Sequence, residues 1–378
     1  MNGTTAMVTF WAAAPPRVSC FTIYGPDLKP SSFGRLPKAI YSEDDLVLLR
    51  VPLCRREDSL DAHNNHYFVY QAGAVPSLQL IPITPDIMVS DCEVALLRCR
   101  GQDMFYIALL HKAIDAVDYY RQFELQLYNS MTGRWTTESM HVDSQDFSFS
   151  YTSIVLAMGG EFGSVGWVDL WRGILVCDLL PREDKHSLRY IPLPSPLVPK
   201  PLKGYPMYVR NIIVLEGHIK FFDMHYVRPA ASNTGRCTCA SEQGLVAATK
   251  KMKISDIGSG NNNCWEEDCT IKFSEIPLDS LKFAQVLLNL KQINNGTKLT
   301  LNRLHAGYPA LSLHDPDVVY VMHTPDPNVY KASVIAIDMR NKTLKDVADF
   351  GSGRPLGYTF TYLQSGISKH LNDWSSSR

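Results

Sequence analysis

The sequence predicts a mainly β fold built from a repeated unit of several strands, and three observations lead there. Short runs of β-branched, aromatic and leucine residues recur along the chain and end in Gly, Pro, Asn or Asp, the pattern of strands closed by turns. Helical periodicity is scarce, its best stretches being residues 111–121 and 281–290. Four of the strand runs share one form and stand at related distances, which points to a repeat.

Taken in order, the predicted strands begin with LVLLRVPL (46–53), YFVYQA (67–72), SLQLIPI (77–83) and EVALLRC (93–99). FYIALL (105–110), FELQLYN (123–129) and SIVLAM (153–158) follow, and the second half adds NIIVL (211–215), IKFFD (219–223), VVYVM (318–322) and VIAID (334–338). The repeated form is a short apolar run ending in Asn129, Asp178, Asp223 or Asp338. An Asn or Asp there turns its side chain onto the next backbone N–H groups and starts a hairpin. The spacings are 49, 45 and 115 residues, the last near two periods. A period close to 50 with several strands per unit is that of a β-propeller blade. In 378 residues it leaves room for six or seven blades, and a pair of packed β-sandwiches is the alternative with the same strand count.

The predicted organisation is an N-terminal extension (1–15), one propeller-like domain (16–365) and a C-terminal tail (366–378). PLPSPLVPKPLKGYP (192–206) is too rich in proline for a central strand, because proline lacks the ladder donor, and it is read as an extended connector between blades. A docking peptide for a polyproline-binding domain, through Pro196 and Pro199, is the other use of such a stretch. Residues 228–244 and GSGNNN (258–263) are small and polar and are predicted to be loops.

Composition narrows the class. Hydrophobic residues make up 45% and charged residues 20%, and 37 Lys and Arg face 38 Asp and Glu with no long block of one sign. Neither a nucleic-acid backbone nor an anionic membrane is favoured as partner. The apolar stretch 6–14 has no basic residue before it and is too short to span a bilayer, so the chain is expected to be soluble and intracellular, in the cytoplasm or nucleus. Cys20, Cys54, Cys92, Cys99 and Cys177 lie in or beside apolar runs, as thiols do in a reducing compartment. The sequons at Asn2, Asn295 and Asn341 are short enough to occur by chance.

GGEFGSVGWVDLWRGILVCDLL (159–180) has glycines spaced like a nucleotide cradle. A dinucleotide fingerprint needs a helix after the glycines, whose amides meet the pyrophosphate. WVDLWRGILVCDLL instead alternates as two strands across a turn near 171–173. The preferred reading is structural: Gly159 and Gly160 permit a tight turn, Trp167 packs against a neighbouring blade, Asp169 and Arg172 pair with each other or with backbone, and Trp171, Gly173 and Asp178 complete the hairpin.

GSVGWVDLWRGILVCDLL followed by LRYIPLPSP resembles the plant family known as domain of unknown function 1618, which is expanded in grasses. PRVSCFTIYGPD (16–27), DLVLLRV (45–51), YFVYQAG with PSLQLIP, FELQLYNSMTGRW (123–135) and CWEEDCTIKFSEI (264–276) extend the resemblance over most of the chain. It implies no particular activity. A looser similarity links the central motif to the propellers attached to plant F-box proteins, and the double glycine followed by tryptophan is similar to kelch-type repeats.

Candidate chemistry is sparse. Cys237, Cys239, Cys264 and Cys269 are the one grouping with a metal look, but their C-x-C and C-x4-C spacings match the common zinc fingers and ribbons poorly. At Ser164 a nucleophile elbow fails, because Phe162 stands where its first glycine belongs. His63, His66, His111, His225, His305, His314 and His323 show no metal or catalytic spacing. His111 and Asp115 are spaced for a helix pair, and Glu266, Glu267 and Asp268 read as a solvated turn. Trp135, Trp167, Trp171 and Trp265 are expected between blades or at a propeller mouth. No catalytic, cofactor or metal set is predicted. The functional expectation is a non-enzymatic module that binds another protein; the alternative is an enzyme or small-molecule binder with a central pocket.

Overall fold

The computed structural model describes residues 6–58, 64–84, 86–87, 89–99, 103–113, 120–180, 186–197, 204–227, 244–257, 265–277, 301, 304, 306–324, 332–350 and 362–371. Contacts group the chain into two compact units: the first holds Ser19–Pro192 with both termini, the second Leu193–Tyr362 with Ala13–Val18.

In the first unit, β1 (Met7–Trp11) and β2 (Cys20–Tyr24) form a ribbon, so the predicted extension contributes a strand. Three four-stranded antiparallel sheets follow, each in sequential order. They are β3 (Lys38–Glu43), β4 (Leu46–Pro52), β5 (Asn65–Gln71) and β6 (Ser77–Ile81); β7 (Val94–Cys99), β8 (Met104–Lys112), β9 (Gln122–Asn129) and β10 (Arg134–His141); and β11 (Ile154–Gly159), β12 (Ser164–Asp169), β13 (Gly173–Asp178) and β14 (Leu188–Pro192). The second unit adds β15 (Arg210–Leu215), β16 (His218–Val227), β17 (Gly244–Lys253) and β18 (Glu266–Lys272), then β19 (Ala306–Leu311), β20 (Val318–His323), β21 (Ser333–Asp338) and β22 (Thr343–Asp349).

Each sheet is an up-and-down blade, and first strands of successive blades lie side by side within a unit: β3 beside β7, β7 beside β11, β15 beside β19. The fold is of the β-propeller class, with five blades among the described residues, close to the six or seven expected. First strands begin 56, 60, 56 and 96 residues apart, longer than the period read from the aspartates. Asn129, Asp178 and Asp338 end the third strands of their blades, whereas Asp223 lies inside β16, the second strand of its blade, so the 45- and 115-residue spacings do not measure a blade repeat and the 49 residues from Asn129 to Asp178 do.

Local chemistry explains the hairpins. Asn129 accepts the N–H groups of Met131 and Thr132 at 2.9 and 3.2 Å, and Asp338 accepts that of Asn341 at 2.8 Å, which turns the chain into the fourth strand. Glu216 and Gly217, both at positive φ (49° and 73°), make the two-residue turn from β15 to β16 that matches strand twist.

Alternation sets the core. Leu46 and Leu48 of β4 face one cluster with Leu96, Ile107, Leu125, Val165 and Leu175, while Val47 and Leu49 face another on the opposite side of the sheet. In the second unit Phe222, Met224, Leu245 and Ala247 meet Val319, Val321, Ile335 and Ile337. Fourth strands such as β10 and β22 are largely exposed, whereas β12 and β13 are almost wholly buried.

Two other expectations change. Residues 111–121 do not start a helix, because His111 and Lys112 end β8; residues 114–119, including Asp115, lie outside the described residues, as does the predicted helix 281–290. Glu266, Glu267 and Asp268 stand in β18, not in a turn, and Asp268 is neutralised there by Lys220 at 2.7 Å. No helix among the described residues is long and apolar enough to cross a membrane.

Candidate interaction surface on the first unit

The glycine-rich motif is a pair of hairpins. Gly159, Gly160 and Gly163 adopt φ of 66°, 77° and 57° in the turn from β11 to β12, and no helix follows that could present amides to a phosphate. Gly163 also allows close packing, since a Cβ there would come within 2.7 Å of Leu97. Trp167 is fully buried and its indole N–H donates to the Glu93 carbonyl at 2.7 Å, joining its blade to the start of β7. Gly173 lies under the Tyr190 ring, 2.4 Å from where a Cβ would stand. Gly173→Ala is therefore expected to cost about 1–3 kcal/mol, read as a shift in denaturant midpoint, against about 1 kcal/mol for Gly160→Ala, whose Cβ meets nothing.

Asp169 organises the end of this hairpin. It is completely buried, and its carboxylate accepts the N–H of Trp171 at 2.9 Å, the N–H of Ser150 at 2.8 Å and Arg172 Nη1 at 3.0 Å. Ser150 belongs to the link between β10 and β11, so Asp169 fastens two chain segments 19 residues apart. Tyr190 closes the base, donating to the carbonyls of Ser148 and Arg172 at 2.8 and 3.2 Å, and burial pushes its pKa up to about 12. Phe123, Phe147 and Phe149 pack around it, Phe147 edge-on to Tyr190 with centroids 5.2 Å apart.

Above this base stands a group of cations and aromatic rings. Arg172 is 40% exposed. Lys112 donates to the Phe149 carbonyl at 3.2 Å and lies 5.8 Å from the centre of the Tyr120 ring. Partial burial lowers the Lys112 pKa; Asp169 opposes that shift and Arg172 adds to it, which places all three in one electrostatic neighbourhood. Tyr151, beside Asp169 and Arg172, has its phenol pKa raised first by burial. Tyr120 is 71% exposed and Tyr151 39%. Chemically the group offers aromatic faces and charge-assisted donors, the equipment of protein recognition.

The other predicted residues are dispersed. Ser164 donates to Asp178 at 2.5 Å, and Asp178 also takes Arg189 through both oxygens at 2.9 Å, a pairing without a histidine. His111 meets Glu93 at 2.8 Å; His66, His225 and His323 lie in β5, β16 and β20, His314 in the turn after β19, and His63 and His305 outside the described residues. Trp135 donates to the Pro82 carbonyl at 2.7 Å, Trp171 is half-buried in its turn, and Trp265 packs edge-on to Phe221. Of the zinc candidates, Cys269 is a half-buried residue of β18, while Cys237, Cys239 and Cys264 lie outside the described residues, as does Pro199. Among the described residues no group of His, Cys, Asp and Glu could hold a metal ion.

Sequence reasoning singled out Asp169, Trp171 and Arg172 as hairpin residues and did not single out Lys112, Tyr120, Ser150 or Tyr151. Ser150 bonds Asp169 from the link between β10 and β11, 19 residues away, and no local spacing marks it.

Fold and surface together define a β-propeller-class protein with an aromatic and cationic face on its first unit. Residues 167–320 match the family model described as Protein of unknown function (DUF1618), which supports the family resemblance carried by the central motif. No curated protein matches the chain.

Proposed function

We propose that the protein is a non-enzymatic interaction module that binds another protein through the face around Asp169. One observation carries the reading: the partly exposed Arg172 bonds the buried Asp169 carboxylate that fastens Trp171 and Ser150, with the exposed Tyr151 close to both and the exposed Tyr120 against Lys112. Tyrosine and arginine are the residue types that dominate interface energetics, and a rigid support lowers the entropy lost on binding. The proposed setting is the reducing interior of the cell, in keeping with Cys20, Cys54, Cys99, Cys177 and Cys269 as free thiols.

The test is quantitative affinity capture from native tissue with the wild-type chain, Tyr120→Ala and Arg172→Glu. A partner whose recovery falls about tenfold or more in both variants is the expected result. Tyr120 is exposed, so the thermal melt of Tyr120→Ala should match wild type; Arg172→Glu also takes an ion-pair partner from the buried Asp169, so its midpoint is expected to fall and its binding is read well below that midpoint. Equal recovery of every captured protein by all three chains would overturn this assignment of the binding face.

A further inference from the structure

The second apolar face of the β3–β6 sheet is covered by short segments rather than by a blade of the same unit. Val47, Leu49 and Ala72 form its floor. On one part sits the β1–β2 ribbon, through Val8, Phe10 and Phe21. On another sits the chain's C-terminal segment, residues 363–371. Ile367 is buried against the floor and Leu371 packs partly beside it. Ser365 bonds Ser42 through the hydroxyls at 2.7 Å and accepts the Ile367 N–H at 3.2 Å. His370 lies 3.0 Å from Asp44, with both side chains about one-third exposed.

We propose that this segment is a displaceable strap over a peptide-docking face, which takes from a partner the same kind of element: a short peptide that forms a single turn, with two apolar side chains four residues apart, preceded by a hydroxyl. The seated strap shows what fits. Its hold is slight for its length. Among its contacts are one buried isoleucine, one half-buried leucine, the part-buried Ser365–Ser42 bond and the partly exposed His370–Asp44 pair, set against the ordering of nine residues. Ile367–His370 is a single 3-10 turn and no strand of the segment pairs with the sheet. Such a segment opens locally without unfolding the sheet beneath it. While it is closed it competes with any outside peptide at high effective concentration, so the docking face is self-inhibited.

The experiment uses the full chain and a fluorescein-labelled synthetic peptide, LQSGISKHL, with a scrambled peptide as control. The labelled peptide is expected to bind Ile367→Asp at least about tenfold more tightly than wild type, since the variant has lost its internal competitor. The scrambled peptide is expected to bind neither. Failure to bind either protein, or equal affinity for both, would overturn the proposal. Hydrogen exchange on the wild-type chain provides a reading that does not depend on how the variant folds. The amides of Ile367 and Lys369 should exchange at least about 100-fold faster than those of β4 and β5, with no dependence on low denaturant; protection equal to β4 would exclude a strap that opens by itself.

Discussion

Trp167→Ala is expected to lower the unfolding free energy of the first unit by about 3–5 kcal/mol, among the largest losses that a single core truncation causes. Trp167 heads the fully buried side chains in size, and its blade meets the β7–β10 blade through it. Truncation would open a cavity of roughly an indole's volume between sheets that are locked by their own ladders and cannot collapse. It would also leave the Glu93 carbonyl without the N–H that it accepts at 2.7 Å. Trp167→Phe separates the two contributions: most of the volume stays and the hydrogen bond goes, for an expected loss of about 1–3 kcal/mol. Guanidinium unfolding of both variants, with hydrogen exchange to localise the change, checks this. A loss below about 1 kcal/mol for the alanine variant would mean that the indole does not join the blades.

The second large effect lies in the second unit, at Asp223. Its carboxylate accepts Arg210 Nε at 3.0 Å, Arg210 Nη2 at 3.2 Å and the Leu197 N–H at 2.9 Å, with His225 Nε2 2.8 Å away. Arg210 is 1% exposed, with its guanidinium over the Phe221 ring. Burial by itself raises the Asp223 pKa, but the His225 ring nearby and the charge and hydrogen bonds of Arg210 outweigh it and lower the value to about 2 from 3.8. A carboxylate with a depressed folded-state pKa stabilises the fold above its unfolded value. That contribution, about 2 kcal/mol, is present above pH 3.8 and is lost as pH falls toward 2. Asp223→Asn removes the negative charge and leaves Arg210 buried without its counter-ion, for an expected cost of about 3–5 kcal/mol near neutral pH. The same variant should lose this part of the slope of stability against pH between 4 and 2. A paired replacement, Arg210→Met with Asp223→Leu, should cost much less than either single change, because no buried charge is left unpaired. Equal costs for the single and paired variants would show that packing, not charge pairing, matters there.

The same residue explains where sequence reading failed. IKFFD looked like a strand that stops at an acid, because an aspartate in an apolar run usually marks a turn. The strand continues to Val227 because Arg210, thirteen residues earlier, and Leu197, from the proline-rich connector, satisfy the carboxylate within the fold. Asn129 and Asp338 were legible since their partners lie two or three residues away. The Asp169 hairpin stood between these cases: its bonds to Trp171 and Arg172 are local, whereas its bond to Ser150 and its proximity to Lys112 depend on blade packing.

Strand identity, the mainly β class and the hairpin nature of the glycine-rich motif were determined by the sequence alone. Alternation with period two and the turn chemistry of Gly, Asn and Asp act over a few residues and do not depend on distant partners. Tertiary structure decided the blade count, the fate of the buried acids, the covering of Val47 and Leu49 by the C-terminal segment, and the approach of Lys112 and Tyr151 to Asp169 and Arg172. These depend on contacts such as Trp167 with Glu93, 74 residues apart, and Ser42 with Ser365, 323 apart, which the packing of sheets creates and no local pattern encodes.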